Sequence, residues 1–393
     1  MYKATDGIKL PTSIIGSLPR PAWYTENLGR RSFIEAMVNS AWREQYTDAV
    51  SCFLRDQETA GLDVVTDGDA HYDVEVGGHS WISYPVGRMG GYAAEYHPAQ
   101  AVAIQQKRGH ILHDGGESRL NPTIVGPVTR GTLQYAPMWK VAQRLTARPV
   151  KFGTITPEFI ALSARDQHYK SRRDRIMAVS DALNAELHEL ADAGCAAIQM
   201  EEPLLHLPGP RGAEQDDIGP DFMIQVFNNT VRGLRAKTEV WCHSCWGNPS
   251  QQRLTPKPTS YAPVLKYYDR CDADVVTFET AHAGGMDLEA YGKGIGDDKK
   301  VAIGVIDHHT LQIERPDEVA ELIRRALKHI PAERLVLTSD CGMGREGMGR
   351  RHAFYKMVAM VQGSNMVRRE LGLPEAQCLA ADERYSLTEG ARN

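Results

Sequence analysis

The sequence predicts an α/β protein, a (β/α)8 TIM barrel that forms a single domain over residues 1–393 and carries an inserted arm in its N-terminal third. Three observations favour this fold class. Apolar strands alternate with amphipathic helices along most of the chain, which is typical of a parallel sheet covered by helices. Polar residues follow the strands, as they do at the mouth of a barrel. Finally, no Ser/Pro-rich linker or low-complexity tract divides the chain.

One plan recurs along the chain: a helix, a short break, an apolar strand and an acidic strand end. Apolar residues at steps of three and four predict a helix over residues 171–193. The apolar run Ala196–Met200 follows and leads into Glu201. The same plan is present at residues 49–69 and 316–341. Each repeat therefore predicts one helix and one buried parallel strand.

Nine candidate strands follow from these patterns: Ser13–Gly16, Asp63–Thr66, Thr123–Val125, Val150–Ile155, Ala196–Met200, Glu239–Cys242, Asp274–Phe278, Val301–Ile306 and Leu335–Thr338. A barrel uses eight of them. We expect Thr123–Val125 to be the extra strand, inside an inserted arm at residues 79–134. The rival fold is an open doubly wound sheet. However, no G-x-G-x-x-G or G-x-x-x-x-G-K-[ST] motif follows a strand, so nucleotide binding by such loops has no support.

Composition excludes several classes of protein. Lys and Arg total 45 against 50 Asp and Glu, a net charge of −5, which is unlike a nucleic-acid-binding protein. No apolar run approaches the roughly 20 residues that span a bilayer, so no membrane partner is expected. The N-terminus lacks a signal-peptide pattern, and we expect a cytoplasmic location. The seven scattered cysteines argue against a disulfide framework.

Histidine, cysteine and carboxylate side chains are concentrated at the predicted strand ends. His243 and Cys245 are two residues apart, so they point to the same side of a strand. Cys341 and Glu279 follow two other strands. A zinc site built from them would need the finished barrel, which suits a reactive metal better than a structural one. The alternative is that the cysteines fill the core and His243 is a hydrogen-bonded core histidine.

Six short motifs occur in order along the chain: Ile14-Ile15-Gly16-Ser17-Leu18-Pro19, Gln199-Met200-Glu201-Glu202-Pro203-Leu204-Leu205, His243-Ser244-Cys245, Phe278-Glu279-Thr280, Gly304-Val305-Ile306-Asp307-His308-His309-Thr310 and Asp340-Cys341-Gly342. Together they resemble the catalytic C-terminal half of cobalamin-independent methionine synthase. The chain is too short to hold the N-terminal barrel of the full-length synthase as well. It therefore resembles the single-barrel relatives of that family, which include short methyltransferases and epoxyalkane:coenzyme M transferases.

The resemblance implies a Zn²⁺ cofactor held by His243, Cys245, Glu279 and Cys341. It also implies two small-molecule partners, a thiol acceptor and an alkyl donor. A metal-bound thiol has a lowered pKa, so its thiolate can attack an alkyl carbon near neutral pH. His309 aligns with the family's proton-delivering histidine, and Asp307 would orient it.

The resemblance assigns five residues to the thiol substrate. Ile15, Gly16 and Ser17 match positions that hold the carboxylate of homocysteine, while Asp69 and Glu201 match acids that contact its ammonium group. The last two depart from the family, which usually has Glu and Asp, respectively, at these positions. A shift of one methylene displaces a carboxylate by more than an ångström, which matters for an ion pair.

The donor side also departs from the family. The family stacks the pterin ring of the folate on a tryptophan, whereas the stretch Thr154–Ser163 carries Leu162 and no tryptophan. Arg144, Arg148 and Lys151 form a basic run that either meets a polyglutamate tail or is a solvated face. The sequence leaves open whether the chain forms a homo-oligomer.

Four hypotheses follow. The first is zinc-dependent alkyl transfer to or from a thiol, for which methionine synthesis from homocysteine is the best-known version. The second is coenzyme M-type chemistry, with Arg20 as the candidate cation for the sulfonate. The third is an inert zinc-binding barrel without turnover. The fourth is a metal-free barrel similar to uroporphyrinogen decarboxylase, which would not need the His/Cys/Glu/Cys set.

Overall fold

A computed structural model of the chain describes residues 3–72, 84–98, 120–201, 204–206, 218–246, 260–344 and 348–381. Within these ranges the strands are β1 (Val65–Thr66), β2 (Gly90–Pro98), β3 (Leu120–Thr129), β4 (Val150–Ile155), β5 (Arg165–Asp166), β6 (Ala197–Glu201), β7 (Glu239–Ser244), β8 (Val275–Phe278), β9 (Lys300–Ile306) and β10 (Leu335–Ser339). The α-helices there are α1 (Phe33–Val38), α2 (Ser40–Ala60), α3 (Tyr135–Gln143), α4 (Pro157–Leu162), α5 (Arg172–Asp192), α6 (Pro220–Thr230), α7 (Leu265–Tyr268), α8 (Leu288–Gly294), α9 (Pro316–Leu327) and α10 (Arg350–Glu370).

Seven of the strands form one parallel sheet in the order β1-β4-β6-β7-β8-β9-β10. The segment around Thr12 closes this sheet. Thr12 bridges Leu337 of β10, and its carbonyl accepts the backbone N–H of Val64 just before β1. The segment therefore takes the eighth position between the two edge strands. The predicted (β/α)8 barrel is confirmed.

The first predicted strand, Ser13–Gly16, is wrong in its bounds. In the structure the pairing is limited to a bridge at Thr12. The chain then leaves the sheet, because the N–H of Ile15 donates to the hydroxyl of Ser339 (3.0 Å) and Gly16 turns with φ +61°. A left-handed residue of this kind favours glycine and ends regular pairing.

A second sheet lies outside the barrel, with the strand order β2-β3-β5. The predicted extra strand Thr123–Val125 lies within β3, so it is separate from the barrel as expected. The bounds of the inserted arm remain a prediction, since residues 79–83 and 99–119 are outside the described ranges.

The interior of the barrel is mostly apolar at one end, where Lys151 and Glu239 are the buried charged residues beside Trp241, and polar at the other. Ala197, Trp241, Val275, Ala302 and Val336 belong to one buried cluster inside the sheet. Toward the carboxyl ends, the strand register places Glu201 beside His243 and His243 beside Thr277. The helices pack around the sheet with their apolar faces inward, and none that the structure describes is both long and apolar enough to cross a membrane.

Candidate metal centre

Three side chains from two strand ends converge at the mouth of the barrel. The ligand atoms of His243, Cys245 and Cys341 all lie within 4.8 Å of one another, and all three residues are buried. The two Sγ atoms are 3.3 Å apart and form no disulfide. His243 lies in β7, Cys245 directly follows that strand and Cys341 follows β10, so residues nearly 100 positions apart meet only in the closed barrel.

The imidazole of His243 is held by its neighbours. Its Nδ1 is 2.7 Å from the hydroxyl of Thr277, and its Nε2 is 3.4 Å from a carboxylate oxygen of Glu201. When Nδ1–H donates to Thr277, the lone pair lies on Nε2, the arrangement that metal-binding histidines use. Contact with the Cys341 sulfur and burial raise the pKa of Cys245 well above its usual range. The buried thiol of Cys245 therefore needs a cation beside it before it ionises.

Glu279 lies next to this trio but is not part of it. Its Oε2 accepts the backbone N–H of Trp246 (2.8 Å), the residue after Cys245. Its Oε1 is buried and accepts no hydrogen bond from any residue that the structure describes. Burial, and then the charge of Asp340, raise the pKa of Glu279 well above its ordinary value. An orphaned carboxylate oxygen in a fully buried residue is costly unless a cation approaches it.

The donor set fits zinc. Two cysteines, one histidine and one glutamate match the ligand types and number of a four-coordinate zinc site. In the structure three of these residues form one group, whereas the ligand oxygen of Glu279 groups instead with His282 and His309. The Oε1 of Glu279 lies 3.9 Å from Nδ1 of His309, and the charge of Glu279 also contributes to the raised pKa of Cys245, so the carboxylate is near both groups. A cation bound there would give this oxygen a partner.

A second polar cluster follows β9. The N–H of His309 donates to Asp307 (2.7 Å), and the Nδ1 of His282 lies 3.1 Å from the other oxygen of Asp307. The rings of His282 and His309 are 4.3 Å apart. Burial, and then the neighbouring His282, lower the pKa of His309 to about 4, so its imidazole is neutral at pH 7. The hydrogen bond to Asp307 raises the pKa of His282.

His282 was missed by the reasoning from sequence, which stopped at Glu279. The signal was the Glu-x-x-His spacing just past β8. The backbone explains how this loop is held. The buried carboxylate of Asp340 accepts the N–H groups of Thr280, Ala281 and His282 at 2.7–2.9 Å. Burial raises the pKa of Asp340 to about 7 despite these bonds.

The residues predicted to bind the carboxylate of the substrate lie in a tight loop beside β10. A Cβ on Gly16 would meet the Cα of Gly342 at 3.1 Å, which explains a glycine there. Ser17 accepts the N–H of Met343 with its carbonyl (2.8 Å), and Leu18 donates to the carbonyl of Gly68 (3.1 Å). The loop at residues 15–17 is therefore held between the ends of β10 and β1.

The two predicted ammonium-binding acids lie on either side of this region. Asp69 has φ +54°, and its N–H donates to the side chain of Asp67. Its carboxylate lies near Gly16, because a Cβ built on that glycine would be 4.0 Å from a carboxylate oxygen of Asp69. Glu201 is at the end of β6, and its Oε1 accepts the side-chain amide of Gln199. Burial, followed by the charge of Asp69, raises the pKa of Tyr72, and Glu201 adds to this effect, so both acids lie near this partly buried ring.

Arg20 and Arg148, a member of the predicted basic run, both donate hydrogen bonds to backbone carbonyls of the protein. The guanidinium of Arg20 donates to the carbonyls of Tyr24, Tyr72 and Glu26. It also lies 3.4 Å from the centre of the Tyr24 ring. Arg148 donates to the carbonyl of Leu62. These contacts disfavour Arg20 as the cation that would receive a sulfonate.

Comparisons with known proteins agree over almost the whole chain. The family model of the cobalamin-independent synthase catalytic domain matches residues 10–365. A methionine synthase from Saccharolobus solfataricus is 28% identical over 368 residues, which cover 92% of this chain and 96% of that relative. A methionine synthase from Sulfurisphaera tokodaii is 27% identical over 368 residues, covering 92% of this chain and 94% of that protein.

Solved structures give the same result. A B12-independent methionine synthase from Shewanella sp. W3-18-1, in complex with selenomethionine, superposes with a TM-score of 0.71 at 28% identity. That match covers 92% of this chain and 99% of the other. A putative B12-independent methionine synthase from Listeria monocytogenes shares the fold, with a TM-score of 0.63 at 15% identity over 90% of this chain and 96% of the other.

Proposed function

The chain belongs to the cobalamin-independent methionine synthase family, and we propose that it is a zinc-dependent methyltransferase that forms methionine from homocysteine. The observation that carries the zinc part of this proposal is the convergence of His243, Cys245 and Cys341. Glu279, whose buried Oε1 has no hydrogen-bond partner among the described residues, is near enough to contribute to the raised pKa of Cys245. In this proposal these four residues are the zinc ligands. When bound, the ion lowers the pKa of a thiol beside it, so that a thiolate is available near neutral pH.

The protein holds the amino-acid end of the acceptor. The backbone and hydroxyl of residues 15–17 bind the carboxylate, and Asp69 and Glu201 bind the ammonium group. Glu201 reaches from β6 to within 3.4 Å of the imidazole of His243, and a carboxylate oxygen of Asp69 would lie 4.0 Å from a Cβ built on Gly16. A carboxylate close to an ammonium group in a partly buried pocket gives a strong, oriented contact.

The donor's leaving group takes up a proton, and His309 is the residue proposed to deliver it. Because its imidazole is neutral at pH 7, it first has to receive a proton. His282 contacts its ring and is partly exposed to solvent, with a raised pKa. Asp307 accepts hydrogen bonds from both residues and holds them side by side. We therefore include His282 in the proton path.

A transfer assay tests this function. Purified protein is incubated with homocysteine and a set of methyl donors that includes 5-methyltetrahydrofolate with one and with three glutamates. Methionine is then measured by mass spectrometry. The proposal expects methionine with at least one donor and only a small fraction of that amount with the Cys341→Ser variant. Zinc-loaded wild-type protein that forms no methionine with any donor would overturn it.

A further inference from the structure

Lys151 is a buried lysine that none of the proposed steps uses. It lies in β4, is 2% exposed, and points into the barrel rather than to solvent. Its Nζ donates to the carbonyl of Ile14 (2.9 Å) and to the side-chain oxygen of Gln199 (2.6 Å). The same Nζ lies 4.1 Å from the centre of the Trp241 ring. The hydrogen bonds and the cation–π contact give this cation a defined place in the barrel.

The ammonium group determines which way the amide of Gln199 points. In its ammonium form Lys151 can only donate hydrogen bonds, so the amide oxygen of Gln199 faces it. The NH₂ group then faces Glu201 and donates to its Oε1. A flipped amide would direct NH₂ at the ammonium group and oxygen at the carboxylate. Lys151 therefore fixes, through one side chain, the orientation of a carboxylate at the mouth of the barrel.

The other contact of Lys151 reaches the carboxylate-binding loop. Ile14 directly precedes residues 15–17, and its carbonyl is one of the points at which the backbone is held. The loop is held further along by Ser339 and Gly68. One buried cation thus lies beneath both halves of the proposed amino-acid pocket, the loop on one side and Glu201 on the other.

We propose that Lys151 is a positioning residue for the acceptor, which holds the loop at residues 15–17 and, through Gln199, the carboxylate of Glu201 in the geometry that binds an α-amino acid. This inference rests on the proposed function and adds a determinant of acceptor binding to it. It assigns Lys151 no contact with substrate and no part in the transfer itself.

The test is calorimetric binding of methionine to the zinc-loaded protein. Lys151→Met should weaken methionine binding by about tenfold or more, with zinc content unchanged. Gln199→Leu should weaken it similarly. Because part of the effect of Lys151 runs through Gln199, the double variant should lose less affinity than the product of the two single losses. If the loss of methionine affinity in the double variant equals the product of the two single losses, the proposal is contradicted.

Arg368→Met is the matched control. Arg368 is also a buried cation; it donates to the carbonyl of Leu10 and to Asp63, away from Gln199 and Glu201. Its loss should lower Tm yet leave methionine affinity unchanged. If Lys151→Met does not fold, Gln199→Leu carries the test alone, and unchanged affinity there overturns the inference. Wild-type protein that binds no methionine would overturn the proposed function, whereas wild-type binding with unaltered Lys151→Met affinity would overturn only this inference.

Discussion

Two levels of the barrel interior hold buried polar groups in opposite ways. At the lower level, the charges of Lys151 and Glu239 are matched by donors and acceptors of the protein: Glu239 accepts from Thr5 and Trp241, and Lys151 donates to Ile14 and Gln199. At the mouth, Glu279 and His309 are equally buried, yet Glu279 Oε1 and both ring nitrogens of His309 make no hydrogen bond within the described ranges.

We infer from this difference that Lys151 and Glu239 support the pocket, whereas Glu279 and His309 interact with a bound ligand. A buried polar atom without a partner costs of the order of 1–3 kcal/mol, so it persists where another requirement maintains it. At the mouth we propose that this requirement is the binding of metal and substrate. At the lower level the protein supplies every partner itself, and the network acts as a fixed support.

The largest expected effect comes from removing a ligand at the mouth. Cys341→Ser should reduce bound zinc to a small fraction and lower methyl transfer by more than about a hundredfold, because a thiolate ligand is lost. Metal analysis and the methionine assay measure both effects. Cys271→Ser is the control, since Cys271 is buried but donates to the carbonyl of Tyr267 and lies outside the trio. Equal zinc content in the two variants would contradict the assignment of Cys341 as a metal ligand at the mouth.

At the lower level, Lys151 should make the free energy of unfolding depend on pH. Burial lowers the pKa of Lys151 from 10.5 to about 7. Above about pH 7 the unfolded state therefore binds more protons at this residue than the folded state, and the free energy of unfolding rises with pH. The rise amounts to roughly 2 kcal/mol between about pH 7 and pH 9.

Urea denaturation of wild type and Lys151→Met at several pH values measures this contribution. The difference between their free energies of unfolding should move in favour of the wild type as pH rises through that window. A difference that stays constant with pH would mean that Lys151 keeps an ordinary pKa and that its buried charge is fully compensated.

A smaller effect is expected from His309. His309→Asn should retain zinc and methionine binding but slow methyl transfer by about a hundredfold, the usual contribution of a general acid. Single-turnover rates and metal content measure the two properties. Full activity would remove His309 from the proton path.

His282→Gln tests the proton path at its second histidine, where we expect a smaller effect on the rate. His282 acts through Asp307 and His309, so we expect about a tenfold slower transfer with zinc retained. A loss as large as that of His309→Asn would make His282 the proton donor and His309 its neighbour. An unchanged rate would exclude His282 from the path.

Much of the barrel was predictable because buried parallel strands read as short apolar runs. Val150–Ile155 has the predicted bounds, and β7 extends the predicted Glu239–Cys242 by two residues. Ser13–Gly16 was misjudged, because an apolar run does not reveal that Ser339 and a left-handed Gly16 draw the chain out of the sheet. A tertiary contact decided that local structure.

The site was predictable to the extent that its residues follow strands. The strand ends placed His243, Cys245 and Cys341 at one mouth, where the structure brings them together. Lys151 was grouped with Arg144 and Arg148 as a basic run, but the alternation of β4 points it into the barrel. The contacts of a buried lysine depend on which strands become neighbours, and spacing along the sequence does not record that.

Zinc-edge X-ray absorption of the purified protein, with and without homocysteine, tests the central claim most directly. We expect about one zinc per chain with two sulfur neighbours, supplied by Cys245 and Cys341, and a third sulfur when homocysteine is added. Protein purified without chelators that contains no zinc, or zinc whose sulfur count does not change with the thiol, would contradict the account.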